Sequence, residues 1–352
     1  MSSASSALPR PCVNVFWPHE SAFVDPVNLT DSLQEELAEI GISHIALPLP
    51  LPSGVPEFRN VANRLRSANI GTIVGLHDWT PDDKVLQQLA DEDLIDGAVL
   101  EESTTHVAAA VRDIVNARRI VVADGFTAPA LDGSLGSELA RTAHGVLAYT
   151  PGSRGNDARP THYVPRSEFH LVRSVLARNQ PHSWAPVDPP ETVDDSMRTA
   201  WGFLQALGPG IAMTRRAPSD VPQEIKDILR LRAERPGVFV GGEYEPLHIS
   251  GPAQSHIIGF ARAQSHSLPE ILCLGVRDQH AASNGWRDTH ITLPFGTWHD
   301  ITTNALFQDS ASGTDLFNTQ STCILVRSGH APAPPHPLPT AESSGTETSA
   351  PE

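Results

Sequence analysis

Short apolar runs alternate with amphipathic segments over the first two thirds of the chain. The runs predict strands at Val13–Trp17, Ile45–Leu47, Thr72–Leu76, Leu94–Leu100, Arg119–Val122, Gly145–Tyr149 and Gly210–Met213. Between them, apolar residues recur at helical spacing in the segments 30–40, 56–68, 82–89, 105–115, 194–207 and 221–233. The segment 171–177 fits either a strand or a helix. Because parallel strands need helical crossovers, the alternation predicts an α/β protein with a parallel sheet.

Eight such rounds would close a reduced (β/α)8 TIM-type barrel, which is the fold we predict for residues 13–236. An open, doubly wound sheet remains the alternative. No GxGxxG motif follows the first strand, which weighs against a dinucleotide-binding version of the open sheet.

The pattern changes after Pro236. From there the apolar runs are β-rich and separated by turn signals: Glu243–Ile249, His256–Ala263, Ile271–Val276, Thr289–Leu293, Trp298–Thr302 and Thr322–Val326. They predict an antiparallel β-sandwich as a C-terminal domain over residues 237–330. Residues 1–12 are expected to be a flexible N-terminus. Residues 331–352 are rich in Pro, Ser, Thr and Glu and are expected to be a disordered tail.

Composition narrows the classes of function. The formal net charge is −16 and only 25 residues are Lys or Arg, so a nucleic-acid partner is not expected. No apolar run approaches the roughly 20 residues that cross a bilayer, and no signal peptide is recognisable, so we expect no membrane partner and a cytoplasmic location. The cysteines Cys12, Cys273 and Cys323 are widely spaced, and no helix-spaced His pair occurs. We therefore predict neither a metal nor another cofactor.

Several segments resemble malto-oligosyltrehalose synthases, which belong to the α-amylase superfamily. In the C-terminal third the similar segments are Leu229–Pro236, Gly241–Leu247, His256–Arg262, Gly285–Thr289 and Leu293–Trp298. In the N-terminal half, Leu37–Ile45 resembles the family's first helix and second strand, and Leu94–Gly97 the approach to its nucleophile strand. The resemblance implies a (β/α) barrel followed by a small antiparallel β domain, and a role in trehalose biosynthesis from maltodextrin.

That chemistry needs three carboxylates at the barrel's strand ends. An aspartate is the nucleophile, a glutamate is the acid and base, and retention requires the two about 5–5.5 Å apart. A further aspartate binds sugar hydroxyls. By resemblance, the first motif's acid falls on Gly75, the nucleophile position on Glu101, the glutamate position on Ala123, and the fourth motif's His-Asp on Gln180–Pro181. The sequence thus departs from the family's pattern at each position.

Acidic residues still lie near the predicted strand ends. One interpretation makes Glu101 the nucleophile and Asp124 the acid, with relaxed geometry. Residues expected to contact substrate are then Asp78, Trp79, Glu102, His182 and Trp184. The other interpretation makes the acids solvated loop or helix-start carboxylates and the tryptophans core residues.

The sequence therefore predicts a malto-oligosyltrehalose synthase-like protein of carbohydrate metabolism with weak or no catalysis. The expected ligand is a maltodextrin, another α-glucan or a trehalose-type sugar. The alternative is a non-catalytic, α-glucan-binding or regulatory pseudoenzyme that partners a full-length family enzyme.

Overall fold

The computed structural model describes residues 12–18, 31–49, 54–76, 84–100, 110–111, 114, 120–126, 145–148, 184–187, 202–204, 206–276, 285–317 and 320–329. For residues 48, 99–100, 120–126, 145–148 and 184–186 it describes the backbone only. None of the helices in these ranges is long and apolar enough to cross a membrane.

Eight parallel strands close into a barrel. They are β1 (Asn14–Phe16), β2 (His44–Leu49), β3 (Gly71–Leu76), β4 (Gly97–Leu100), β5 (Ile120–Phe126), β6 (Gly145–Ala148), β7 (Trp184–Pro186) and β8 (Ile211–Thr214). Each strand pairs with the next, and β8 pairs with β1, with Phe16 opposite Thr214. The predicted barrel is therefore present with all eight strands, and the open-sheet alternative is wrong.

Helices cover the outside of the barrel. They include α1 (Asp31–Glu39), α2 (Val55–Ser67) and α3 (Val85–Asp91), and residues 110, 111, 114, 202–204 and 206 are also helical. In α2, Pro56 lies in the first turn, where its missing N–H costs no hydrogen bond. The buried face of α2 follows helical periodicity through Phe58, Val61, Ala62 and Leu65. This spacing is why the sequence predicted the helix correctly.

Strand residues alternate between the barrel interior and the helical layer. Val15, Ala46, Ile73, Ile211 and Met213 belong to one interior cluster, which also contains Trp17. Their neighbours along the strands pack on the helices instead: Phe16, Ile45, Leu47, Val74 and Leu76. Because the strands are buried on both faces, they read as nearly continuous apolar runs in the sequence.

An antiparallel sheet follows the barrel after two short connecting helices, α4 (Gln223–Glu234) and α5 (Pro236–Phe239). Its strands are β9 (Glu243–Pro246), β10 (Ile249–Ser250), β11 (Ile257–Ala263), β12 (Ile271–Val276), β13 (His290–Asp300), β14 (Leu306–Ser312) and β15 (Thr322–Arg327), with α6 (Gly313–Phe317) before the last. Short 3-10 turns occupy Pro218–Asp220 and Gln254–His256. The strands run in the order β10-β13-β15-β12-β11-β9, and β14 pairs with β13.

Two details of this domain differ from the sequence prediction. The runs Thr289–Leu293 and Trp298–Thr302 are one strand, β13, whose register with β14 shifts between Thr292 and Thr297. The turn residues Pro294 and Gly296 form a bulge inside the strand rather than a break. The strand β14 was missed because its polar residues give no apolar run. The antiparallel character is confirmed; all seven strands form one hydrogen-bonded sheet, and a two-layered sandwich stays a prediction.

The barrel and the antiparallel sheet share one core. A single apolar cluster contains Phe16 and Leu37 beside the barrel as well as Phe260 and Val326 of the sheet. One face of β11 and β12 packs on this cluster, and the other face packs on a second cluster around Trp298. The change from parallel to antiparallel pairing lies between β8 and β9, and the exact boundary at residues 236 and 237 stays a prediction.

Candidate functional site at the barrel mouth

The carboxyl ends of the eight strands form one edge of the barrel, which we call the barrel mouth. In barrel enzymes this edge carries the chemistry, whereas the opposite edge serves stability. The described residues at the mouth include Trp17 directly after β1, Gly75 and Leu76 at the end of β3, and Arg215 directly after β8.

Among the described residues of the barrel mouth, Trp17 contacts both Gly75 and Arg215. Its backbone N–H donates to Thr214 O at 2.8 Å, which extends the pairing of β1 with β8 by one residue. Its side chain is 7% exposed and belongs to the cluster inside the barrel. A methyl group placed on Gly75 would lie 3.7 Å from both Nε1 and Cζ2 of the indole, so the ring spans β2 to reach β3. The Arg215 guanidinium lies 5.1 Å from the ring centroid.

The strand register assigns residues of β4 and β5 to the two faces. Gly75, which points toward the interior indole, pairs with Val99, and Val99 pairs with Val122. Leu76, which packs in the outer core, pairs with Leu100, and Leu100 pairs with Ala123. Ala123 therefore belongs to the outer series of positions, and Val99 and Val122 belong to the interior series.

This register bears on the position that the resemblance gave to the family's glutamate. That position falls on Ala123. The pairing of β4 with β5 assigns the outward position to Ala123. The register of β5 with β6 shifts between Ala123 and Phe126, so a bulge follows directly at Asp124 and Gly125.

Most of the predicted site residues lie outside the described residues. These are Asp78, Trp79, Glu101, Glu102 and His182. Along the chain, Glu101 directly follows β4, and Asp78 comes two residues after β3. Asp124 and Trp184 are described by their backbones alone, in β5 and β7 respectively.

The strand β7 differs from the sequence prediction. The resemblance assigned the fourth motif to Gln180–Pro181, whereas β7 begins after these residues, at Trp184. Trp184 is therefore the first residue of its strand and pairs with Ile211, the first residue of β8. His182 precedes the strand and does not follow it. The substrate-binding roles of His182 and Trp184 stay predictions.

The observed bounds of β7 identify a further candidate carboxylate. Asp188 comes two residues after the end of β7, following Val187. Asp188 was not among the predicted site residues, because the resemblance assigned the fourth motif to Gln180–Pro181. The signal was available: Trp184–Val187 is an apolar run that ends in a carboxylate, as Gly97–Leu100 does before Glu101.

The opposite edge of the barrel carries a cluster of polar residues. His44 is 1% exposed and its Nδ1 lies 3.1 Å from Ser43 Oγ, while Asp96 Oδ2 accepts a hydrogen bond of 2.9 Å from Thr72 N. Burial raises the pKa of the nearby Cys12 thiol, and the charge of Asp96 raises it further. The thiol is therefore neutral near pH 7 and a poor nucleophile. Within the described ranges, no group of His, Cys, Asp and Glu residues has a metal-binding arrangement.

Comparison with known proteins agrees with the fold. No family model matches the chain. It is 34% identical over 99 residues to a putative maltooligosyl trehalose synthase of Mycobacterium tuberculosis, and the match covers 28% of this chain and 12% of that protein. The chain thus matches only about an eighth of the length of its curated relative.

Solved structures match over a much larger share. An α-amylase from Geobacillus thermoleovorans, complexed with acarbose, superimposes with a TM-score of 0.59 at 11% identity and covers 91% of this chain and 98% of its own. A type I pullulanase from Bacillus subtilis, complexed with maltose, gives a TM-score of 0.56 at 11% identity and covers 91% of this chain and 70% of its own. At such identity these structures support the fold alone. The chain is therefore similar in sequence to a maltooligosyl trehalose synthase over 99 residues, and it shares its fold with α-amylases and pullulanase.

Proposed function

We propose that this protein binds a maltodextrin chain at the barrel mouth and catalyses glycosidic chemistry there weakly or not at all. The similar maltooligosyl trehalose synthase supports an α-glucan as ligand. The acarbose and maltose in the similar amylase and pullulanase structures support the same class of sugar.

The observation that carries the proposal is the order of acidic residues along the closed barrel. Glu101 directly follows β4, Asp124 lies in β5 one residue after Ala123, and Asp188 comes two residues after β7. The strands β4 and β5 are neighbours, and Leu100 pairs with Ala123. In this proposal Glu101 is the nucleophile, Asp124 the acid, and Asp188 the carboxylate that binds sugar hydroxyls.

The same residues explain why turnover would be slow. A glutamate nucleophile is one methylene longer than an aspartate, and an aspartate acid is one methylene shorter than a glutamate. A displacement of about 1 Å at a reacting group can cost about a hundredfold in rate. Gly75 provides no carboxylate at the position of the first motif. We therefore expect sugar binding to be better preserved than catalysis.

The test uses the whole protein and maltopentaose. Calorimetric titration measures binding, and loss of reducing ends measures formation of a trehalose-terminated product. We expect binding with slow or no turnover, and any turnover should fall at least about a hundredfold in Glu101→Gln, Asp124→Asn and Asp188→Asn. The control is Asp309→Asn, an exposed residue of β14 whose φ of 57° asparagine also tolerates.

Two outcomes would contradict the proposal. Absence of both binding and turnover would refute the sugar ligand. Turnover that survives unchanged in Glu101→Gln would refute the assigned nucleophile. Binding without any turnover in the unmodified protein would favour the non-catalytic, regulatory form of the same proposal.

A further inference from the structure

We infer that the indole N–H of Trp17 donates a hydrogen bond to a sugar hydroxyl, which makes Trp17 a substrate-binding residue in the floor of the barrel mouth. The inference rests on the proposed function, since it assigns a contact to the same sugar. Sequence analysis assigned no role to Trp17 beyond the end of the first strand.

The position of the Trp17 indole supports this contact. Trp17 directly follows β1, and its side chain continues the interior series that begins with Val15. Its backbone is held by the bond from Trp17 N to Thr214 O, so the ring is carried by a rigid strand pair and not by a free loop. Rigid placement on strand ends is what a binding residue requires.

The hydrogen bonding of the Trp17 indole N–H also supports this contact. Trp17 Nε1 donates no hydrogen bond to a residue that the structure describes, and it is not among the fully buried donors without a partner. The tryptophan Trp298 of the antiparallel sheet differs, since its Nε1 donates to Pro294 O at 2.7 Å. Indole N–H groups of largely buried tryptophans usually have an acceptor, and a ligand oxygen would supply one here.

The space beside Trp17 Nε1 is suited to a ligand oxygen. Gly75 has no side chain, and the position that a methyl group would take lies 3.7 Å from Nε1. A ligand oxygen accepts an N–H at about 2.9 Å, so it needs part of the space that a larger residue at 75 would fill. The glycine that departs from the family's first motif thus leaves room for an acceptor at the indole edge.

Arg215 completes the arrangement. Its guanidinium lies 5.1 Å from the ring centroid, over the face of the indole and not at its N–H edge. One face of the ring is therefore covered by a cation, which positions the ring and leaves the edge for polar contact. A positive charge at this distance also makes the indole N–H a better donor to a neutral hydroxyl.

The test is calorimetric titration of maltopentaose into four proteins: the unmodified chain, Trp17→Phe, Gly75→Ala and the double variant. Phenylalanine keeps an apolar ring but removes the donor, and alanine fills the space at Gly75 in ordinary van der Waals contact. We expect Kd to rise about three- to tenfold in each single variant, the range that one net hydrogen bond contributes. Because both changes remove the same contact, the double variant should bind no more weakly than the weaker single variant.

The control is Trp286→Phe. Trp286 Nε1 is also without an acceptor in the described part of the chain, but it is buried in the antiparallel domain beside Phe317. This variant should bind maltopentaose as the unmodified protein does. Melting temperatures of all variants check that each is folded.

The outcomes separate this inference from the proposed function. If the unmodified protein binds and Trp17→Phe binds within twofold of it, the inference is wrong and the proposed function stands. Additive losses in the double variant would refute a shared contact and assign the effects to packing. If the unmodified protein does not bind maltopentaose, both the proposed function and this inference are overturned.

Discussion

At the scale of single residues, burial decides which groups are chemically available. The three cysteines are buried, and burial is the first cause of the raised pKa of each thiol. For Cys323 the negative charge of Asp300 raises the pKa further. These thiols are therefore core residues and poor nucleophiles.

The raised pKa of Cys323 predicts how stability depends on pH. The folded-state pKa lies above the unfolded value of 9.0, so the thiol contributes stability fully below about pH 9 and loses it as the pH rises further. Between pH 8 and 10.5, the unfolding free energy of the unmodified protein should fall more steeply than that of Cys323→Ala. The difference in slope approaches about 1.4 kcal/mol per pH unit above the unfolded pKa. Parallel denaturant-unfolding curves over this range would contradict the assignment.

At the scale of elements, one arginine of α4 ties the helix to the amino-terminal edge of the barrel. Arg232 is fully buried, and its Nη1 donates to Ala206 O at 2.6 Å and to Gly208 O at 3.2 Å. Its Nη2 donates to the carbonyls of Val13 and Gly210, and its Nε donates to Asn14 Oδ1 at 3.0 Å. Burial, and to a smaller extent the charge of the nearby Arg262, lower the pKa of Arg232 to about 9. Carbonyl groups rather than a carboxylate thus surround this cation among the described residues.

Removing this side chain should unfold the junction between α4 and the barrel. Arg232→Met fills similar volume but leaves several buried carbonyls without donors, so we expect a loss of at least about 3 kcal/mol in unfolding free energy. The matched control is Arg230→Met on the same helix. Arg230 is part of exposed ion pairs with Glu39 and Asp227, which contribute about 0–1 kcal/mol. If urea unfolding shows equal losses of unfolding free energy in the two variants, the buried hydrogen bonds of Arg232 contribute no more to stability than the exposed ion pairs of Arg230.

At the scale of the whole molecule, the barrel and the antiparallel sheet behave as one packing unit. The apolar cluster that contains Leu65 and Ile228 on the barrel side also contains Phe260 and Ile324 of the sheet. The partly buried pair Arg235 and Glu270, 3.5 Å apart, lies at the same junction. A shared core means that neither part keeps its buried surface when the other unfolds.

We therefore expect a single cooperative unfolding transition. Phe260→Ala removes a fully buried ring of β11 and should lower the unfolding free energy by about 3–5 kcal/mol. Hydrogen exchange measures where the loss occurs, and protection should fall together in β11 and in the barrel strand β2. Loss of protection confined to the antiparallel sheet, or two separate calorimetric transitions, would contradict a shared core.

The periodicity of apolar residues in the sequence was sufficient to predict the order of most helices and strands. The apolar spacing of α2 and the continuous runs of β3 and β12 correspond to faces that are buried in the structure, so their bounds were predicted within a few residues. Polar or irregular segments were predicted less well. The strand β14 carries mostly exposed residues, and the bulge in β13 contains turn residues, so neither gave the pattern of a strand.

The sequence by itself determined the class of fold, the change from parallel to antiparallel strands and the resemblance to maltooligosyl trehalose synthases, because all three depend on local spacing and residue identity. Only the tertiary structure decided the register. Pairing across β3, β4 and β5 gave Ala123 the outward position, and β7 was found at Trp184–Pro186, two residues before Asp188 along the chain. The closed barrel also places the indole of Trp17 beside Gly75, across the intervening strand β2. Register and contact between distant strands depend on closure of the whole barrel, which no local pattern contains.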